Sequence, residues 1–238
     1  MKLNKLKVKE NVKKALEEDG YKSDLSLNSS KINKKHVAKA KLVTRQNGIL
    51  SGSFWFEQAF KIIDKNAEFN WKVLEGRNFK KNTEIVEIKA SIQAILSGER
   101  TALNFLQMMS GISSKAKAYS DYLKDTKIEL LDTRKTLPNL RYEQKYSTYI
   151  GGVKNHRFGL FDAIMLKDNH IKAFGGIKKI KNFKFLDKGD FLEIEIEKIS
   201  QILPALKCKP DILLLDNLNI KDIKKAKELN NKKIEGII

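Results

Sequence analysis

The second half of this 238-residue chain repeats one unit, a short apolar run followed by a lysine-rich stretch of helical length. The runs are "IELLDT" (128–133), "AIMLKD" (163–168), "FLEIEIE" (191–197), "DILLLDN" (211–217) and "KKIEGII" (232–238), with spacers such as "NIKDIKKAKELNN". Strands alternating with helices at this spacing predict βαβ units and a parallel sheet, which leaves few architectures open. The run "EIEIE" alternates, so one of its faces is carboxylate. In a closed parallel barrel neither face of such a strand meets water, except near the mouth.

The first half reads differently. Leu6, Val8, Val12, Ala15 and Leu16 predict a helix over residues 1–20, with Gly20 as its stop. "SDLSLNSS" reads as loop or strand edge. "HVAKAKLV" reads as a strand before a turn at Asn47-Gly48, and a second strand and a helix through Phe60 and Ile63 follow. Further strands are predicted around a turn near Gly76 and at Ile85, Ile88 and Ala90. After "LSGE" the spacing of Leu103, Leu106, Met109 and Ile112 predicts a helix over 99–123. The chain is therefore α/β, with short antiparallel-looking strands ahead of a parallel part.

Charged groups end successive apolar runs: Asp132-Thr133-Arg134-Lys135, Lys167-Asp168-Asn169-His170, Glu195 or Glu197, and Asp216-Asn217. In parallel α/β folds the carboxyl ends of strands are where ligands bind. The cations Arg134, Lys135, Arg157 and Lys167, with Arg100, suit carboxylate or phosphate. Glu195 and Asp216 would repel such an anion unless Mg²⁺ bridges them to a pyrophosphate, or ribose hydroxyls donate to them. His156 adjoins Arg157 behind Gly151 and Gly152, two residues that let backbone approach a ligand closely. His170 reads as structural. The pattern describes a pocket for an acidic small molecule and a phosphorylated sugar.

Composition narrows the classes. The formal net charge is +18, yet only six of the 47 basic residues are arginine, and four of those six (Arg100, Arg134, Arg141, Arg157) lie between residues 100 and 157. Lysines scattered over the whole chain, without interleaved aromatics, read as solvated faces rather than as a nucleic-acid stripe. No window reaches the roughly 18 consecutive apolar residues of a membrane span. The N-terminal lysines lack the apolar core of a secretory signal. A lone Cys208 excludes an internal disulfide and fits a cytoplasmic location. Three histidines and one cysteine without ligand spacing do not make a zinc site.

Taken in order, "GERTALNFLQMMSGIS", "LLDTRKTLPNLRYEQKYS", "GGVKNHRFGLFDAIMLKDNHI", "EIEIE" and "ILLLDN" resemble the nicotinate-nucleotide pyrophosphorylase (carboxylating) family, also called quinolinate phosphoribosyltransferase. The earlier "ALEEDGYKSDLS" and "QNGILSG" are similar to that family's first domain. The resemblance implies an N-terminal α/β sandwich domain (residues 1–110), then an incomplete TIM-like α/β barrel of parallel strands (111–238). It implies phosphoribosyl transfer from phosphoribosyl pyrophosphate to quinolinate with decarboxylation, a step in NAD biosynthesis. It further implies a homodimer in which Arg100 reaches into the partner's site. Thr133, Arg134, His156, Arg157 and Lys167 would surround the quinolinate carboxylates, and Lys135 would touch the phosphoribosyl pyrophosphate. Glu195 and Asp216 would bind its ribose or, directly or indirectly, Mg²⁺. Catalytic roles fall to Lys135, Glu195 and Asp216, and no protein nucleophile is required.

The family continues past a segment like "KKIEGII" with glycine-rich phosphate loops, whereas the sequence ends at Ile238. The expectation is a C-terminally truncated barrel with an unpaired sheet edge, poorly soluble or weakly active by itself. Two other readings stay open: a related phosphoribosyltransferase for another acid, such as the molybdenum-transport-associated paralogue, or a catalytically impaired family member.

Overall fold

The computed structural model describes residues 1, 3–180, 191–231 and 236–237, and the chain forms two compact units, Met1–His156 and Arg157–Ile238. In the first unit, α1 (Lys5–Glu18) starts where the Asn4 side chain accepts from Lys7 N–H and ends before Gly20, which takes a left-handed conformation. Val8, Val12 and Leu16 form its buried stripe. The stretch read as loop or strand edge contains a short helix, α2 (Leu25–Asn28). Asp24 supplies the N-cap that its sequence needs, accepting from Leu27 N–H at 3.1 Å.

Strands β1 (Val37–Val43) and β2 (Gly48–Ile49) precede α3 (Ser53–Ile63), and β3 (Glu68–Trp71), β4 (Asn78–Phe79) and β5 (Glu84–Ser91) follow it. The antiparallel sheet runs β1-β5-β3, while β2 pairs with β4 separately. The central strand β5 therefore carries the most buried residues, Ile85, Val86, Ile88 and Ala90. Trp55, Phe56, Ala59 and Phe60 of α3 are buried, and Phe56 meets the Trp71 ring edge-on at 5.6 Å.

Helix α4 (Ile92–Leu123) is longer than its predicted span. It begins at an N-cap, Ser91, and passes straight through "LSGE". Gly98 is no break: a Cβ there would sit 3.3 Å from the Ala59 carbonyl, so the missing side chain lets α4 close onto α3. Helix α5 (Arg141–Ile150) packs on α4 further along, and its cap, Gly151, lies against it.

The run 128–133 is not a strand of a ladder, contrary to expectation. It makes one parallel bridge, Leu131 with Lys154, flanked by Lys154 N–H to Leu130 O (2.9 Å) and Asp132 N–H to Lys154 O (3.0 Å). The donor that would extend the pairing, His156 N–H, goes to the Asp132 carboxylate instead, at 2.8 Å. The side chain of Asp132 thus ends the pairing that its own backbone would continue.

The second unit is the βα alternation the repeats predict. Strands β6 (Ile164–Leu166), β7 (Leu192–Ile196), β8 (Ile212–Leu215) and β9 (Gly236–Ile237) form a parallel sheet in that order. Among the described residues the helices are α6 (Asp168–Ala173), α7 (Ile177–Ile180), α8 (Ile202–Leu206) and α9 (Ile220–Asn230). Leu166, Leu192, Ile194, Ile196 and Leu213 pack against Ile171, Ile180, Ile202, Ala205, Leu206 and Ala226 of those helices. The rest of the "KKIEGII" run lies outside the described residues. No described helix is long and apolar enough to cross a membrane.

A Cβ at Gly151 would lie 2.5 Å from the Ala116 Cβ and from the Ser113 carbonyl on α4. The substitution Gly151→Ala is expected to cost about 1–3 kcal/mol, the usual penalty of overpacking. Urea unfolding measures it, and a midpoint equal to that of the parent would show that this helix contact yields.

Candidate functional site

The predicted site residues divide between the two units. In the first, Thr133, Arg134 and Lys135 follow Asp132 on the rim ahead of α5. Thr133 Oγ1 accepts from Lys135 N–H at 3.1 Å, and Arg141 Nε donates to Thr136 Oγ1 at 3.1 Å, so the rim is folded on itself. Thr133 and Lys135 line a cavity of about 440 Å³ together with Lys115, Tyr119, Gln144 and Val153. Three lysines border it, because Lys145 closes one side. Arg134 Nε is buried and has no hydrogen-bond partner among the described residues. A buried guanidinium N–H without an acceptor is costly, and an arriving carboxylate would satisfy it.

Asp132 itself turns inward. Its carboxylate takes the Lys145 ammonium and His156 N–H on Oδ1, and Thr148 Oγ1 (3.0 Å) and Asn155 Nδ2 (2.7 Å) on Oδ2. His156 is therefore held through its backbone to the residue preceding Thr133. Lys145 escapes notice in the sequence because it sits in a helix among polar neighbours. The readable signal is a lysine beside Tyr142 and Tyr146, on the face whose spacing calls for core residues. Gly151, read as making room for a ligand, makes room for α4, and Gly152 adopts φ 91°.

In the second unit, strand register does the assembling. Leu166 pairs with Ile194 and Ile194 with Leu213, so Lys167 falls beside Glu195 at the carboxyl edge. Lys167 Nζ lies 3.0 Å from Glu195 Oε2, and the glutamate is mostly buried. Glu195 pairs with Leu214, and alternation along β8 puts Asp216 on the same face. The ladder carries on to it, since Asp216 N–H donates to Ile196 O at 2.9 Å. Arg157 is buried, with Nη1 donating to Ala163 O at 3.3 Å. His170 Nδ1 accepts from Lys167 N–H at 3.1 Å, a structural role like the one expected. One turn on, the Lys172 ammonium holds the Asp168 carboxyl below its ordinary range.

Arg100 stands apart from both sets, exposed on α4. It borders a groove of about 940 Å³ in the first unit with Arg45, Gln107 and Lys115. The described residues contain no cluster of three ligating side chains for a metal ion. Glu195 and Asp216 nonetheless suit magnesium, which is commonly held by one or two carboxylates and completes its shell with water and substrate phosphates.

Two family models match the chain in tandem: "Quinolinate phosphoribosyl transferase, N-terminal domain" over residues 24–110 and "Quinolinate phosphoribosyl transferase, C-terminal domain" over 112–238. A probable nicotinate-nucleotide pyrophosphorylase [carboxylating] of Bacillus subtilis is 35% identical over 217 residues, 90% of this chain and 74% of that protein. Its Synechocystis counterpart is 34% identical over 77% of this chain, which spans 63% of that relative's length. Among solved structures, NadC from Streptococcus pyogenes superposes with a TM-score of 0.92 at 34% identity, covering all of this chain and 85% of the other.

If Arg134 awaits an acceptor, removing it relieves the free protein. Arg134→Ala should leave the melting temperature unchanged or raise it, since an unsatisfied buried donor costs about 1–3 kcal/mol. Calorimetry in the absence of ligand tests this, and a clear drop would make Arg134 a structural residue.

Proposed function

The chain belongs to the quinolinate phosphoribosyl transferase family, and from that premise we propose that it joins quinolinate to phosphoribosyl pyrophosphate, releasing pyrophosphate and carbon dioxide and yielding nicotinate mononucleotide. The observation that carries the reading is Arg134, whose buried Nε has no hydrogen-bond partner among the described residues and which stands between Thr133 and Lys135, two residues that line a cavity. Such a fork suits the carboxylate of a planar dianion. Relatives that carry the quinolinate name favour that acid over another substrate for a related transferase.

In this reading Thr133, Arg134, His156, Arg157 and Lys167 receive the two carboxylates. Lys135 lies against the phosphates and stabilises negative charge on the departing pyrophosphate. Glu195 is fixed by Lys167 and, with Asp216, accepts from the ribose hydroxyls, which lie where positive charge develops as the anomeric bond breaks. The same two carboxylates would hold Mg²⁺, which neutralises the leaving pyrophosphate when bound. The pyridine nitrogen of quinolinate attacks the anomeric carbon and becomes cationic. Carbon dioxide then leaves, the electron pair of the carbon–carboxylate bond stays on the ring carbon beside the cationic nitrogen, and that carbon takes up a proton from solvent. The protein acts by position and charge, with no covalent intermediate on a side chain.

A homodimer goes with this reading, supported by the exposure of Arg100 beside a wide groove, where it could serve a second copy. So does a cytoplasmic location, supported by a lone cysteine that needs no oxidising compartment. Small molecules are the partners, with neither nucleic acid nor membrane required.

Quinolinate labelled in the carboxylate next to nitrogen should lose its label as carbon dioxide in the presence of phosphoribosyl pyrophosphate and Mg²⁺, while label in the other carboxylate should stay with the nucleotide. Arg134→Ala should weaken quinolinate binding by about 2–5 kcal/mol, as loss of a desolvated charge partner does. A chain that neither binds quinolinate nor releases the label would overturn the proposal.

A further inference from the structure

The Asp132–Lys145 pair is among the most enclosed ion pairs described, with the two side chains 6% and 1% exposed. Both border the cavity that Thr133 and Lys135 line, but their charged ends are turned to each other rather than to that space. Asp132 has no capacity left for acid–base work either, because four donors occupy its two oxygens. A buried ion pair is also a poor stability device, since desolvation offsets much of the attraction and a well-packed apolar pair often does better. What the pair does provide is a fixed location for one carboxylate.

That location is set by α5. Lys145 and Thr148 stand three residues apart and share one side of the helix, where both meet Asp132. The same helix is gripped by the rest of the first unit. Trp55 Nε1 donates to Glu143 Oε1 at 3.0 Å, and Asn11 Nδ2 donates to the same oxygen at 2.7 Å. The Tyr146 ring lies 5.0 Å from that of Trp55, and Ser113 Oγ on α4 donates to Ser147 O at 2.7 Å. On the rim side, Asn155 ties Asp132 to the Lys145 carbonyl (2.9 Å), and His156 N–H hangs from the same carboxylate. Two stretches distant in sequence, 132–136 and 154–156, thus take their mutual position from one carboxylate on one anchored helix.

We infer that Lys145 is a positioning residue of the anion site: through Asp132 it fixes the Thr133–Lys135 rim and the His156 backbone in a single arrangement. This rests on the quinolinate reading above and adds to it a residue that touches no substrate. Removing the ammonium leaves a buried carboxylate uncompensated, which the rim relieves by opening to water. Removing both charges together relieves that strain and leaves hydrogen bonds to hold the rim.

The test uses the full chain with three variants: Lys145→Met, Asp132→Asn and the double substitution. Hydrogen–deuterium exchange is followed in peptides spanning 132–136 and 154–156, and quinolinate affinity is titrated at a temperature where circular dichroism shows each variant folded. Lys145→Met should exchange faster in those two peptides with α4 and α5 unchanged. Its quinolinate Kd should rise roughly 3- to 30-fold, the scale on which residues that touch no ligand modulate a site. The double variant should bind more tightly than Lys145→Met alone, a non-additivity that a separate structural role would not produce. Unchanged exchange, or a Kd within twofold of the parent, overturns the inference. A parent chain that binds no quinolinate fails the functional reading instead, and the exchange comparison alone then decides the positioning role. If Lys145→Met does not fold, Thr148→Val removes one of the four donors and is judged on the same two readouts.

Discussion

One carboxylate organises the candidate site residues of the first unit. Asp132 sits where a parallel ladder would continue, yet it captures the backbone donor that would continue it. The chain on both sides is released from strand geometry at that point and turns into rim and loop. The capture is possible only because Lys145 accompanies the charge into the interior. An ion buried without its partner would cost several kcal/mol, enough to reorganise so short a segment. Strand termination, rim shape and the placement of His156 are therefore consequences of one interaction. The grip on α5 by Trp55, Asn11 and Ser113 keeps it in place.

The second unit solves the same problem by a different route. Pairing of β6, β7 and β8 in parallel register brings Lys167, Glu195 and Asp216 to one edge and one face. The opposite face is packed on helices by Leu192, Ile194 and Ile196. A one-residue slip would send the carboxylates into that apolar layer, so burial of the isoleucines locks the position of the acids. The alternation of "EIEIE" thereby serves core and site at once. The Lys167–Glu195 pair also gives one of these acids a cation partner from the end of the neighbouring strand.

The lysine excess has little to do with either device. Most lysine ion pairs here are exposed, such as Lys13 with Glu17 and Lys225 with Glu228. Exposed pairs contribute little to stability, about 0–1 kcal/mol each. Against that background Lys145 stands out by burial alone, and Arg134 by a donor with no partner among the described residues.

Periodicity determined a good deal from the sequence alone. The αβ alternation, the parallel second unit, helices near 1–20 and 99–123, and the residue types at strand ends all follow from spacing and local chemistry, and the order of the motifs was enough to indicate the family. Short-range signals carried these because the hydrophobic period and the caps act within a few residues. Three features were decided only by tertiary structure: that Gly98 lies inside α4, that 128–133 makes a single bridge, and that Lys145 supports Asp132 from thirteen residues away. Each depends on a contact between segments distant in the chain. A buried lysine, a glycine facing a helix and a glycine in a turn look alike in sequence until the fold supplies the neighbour.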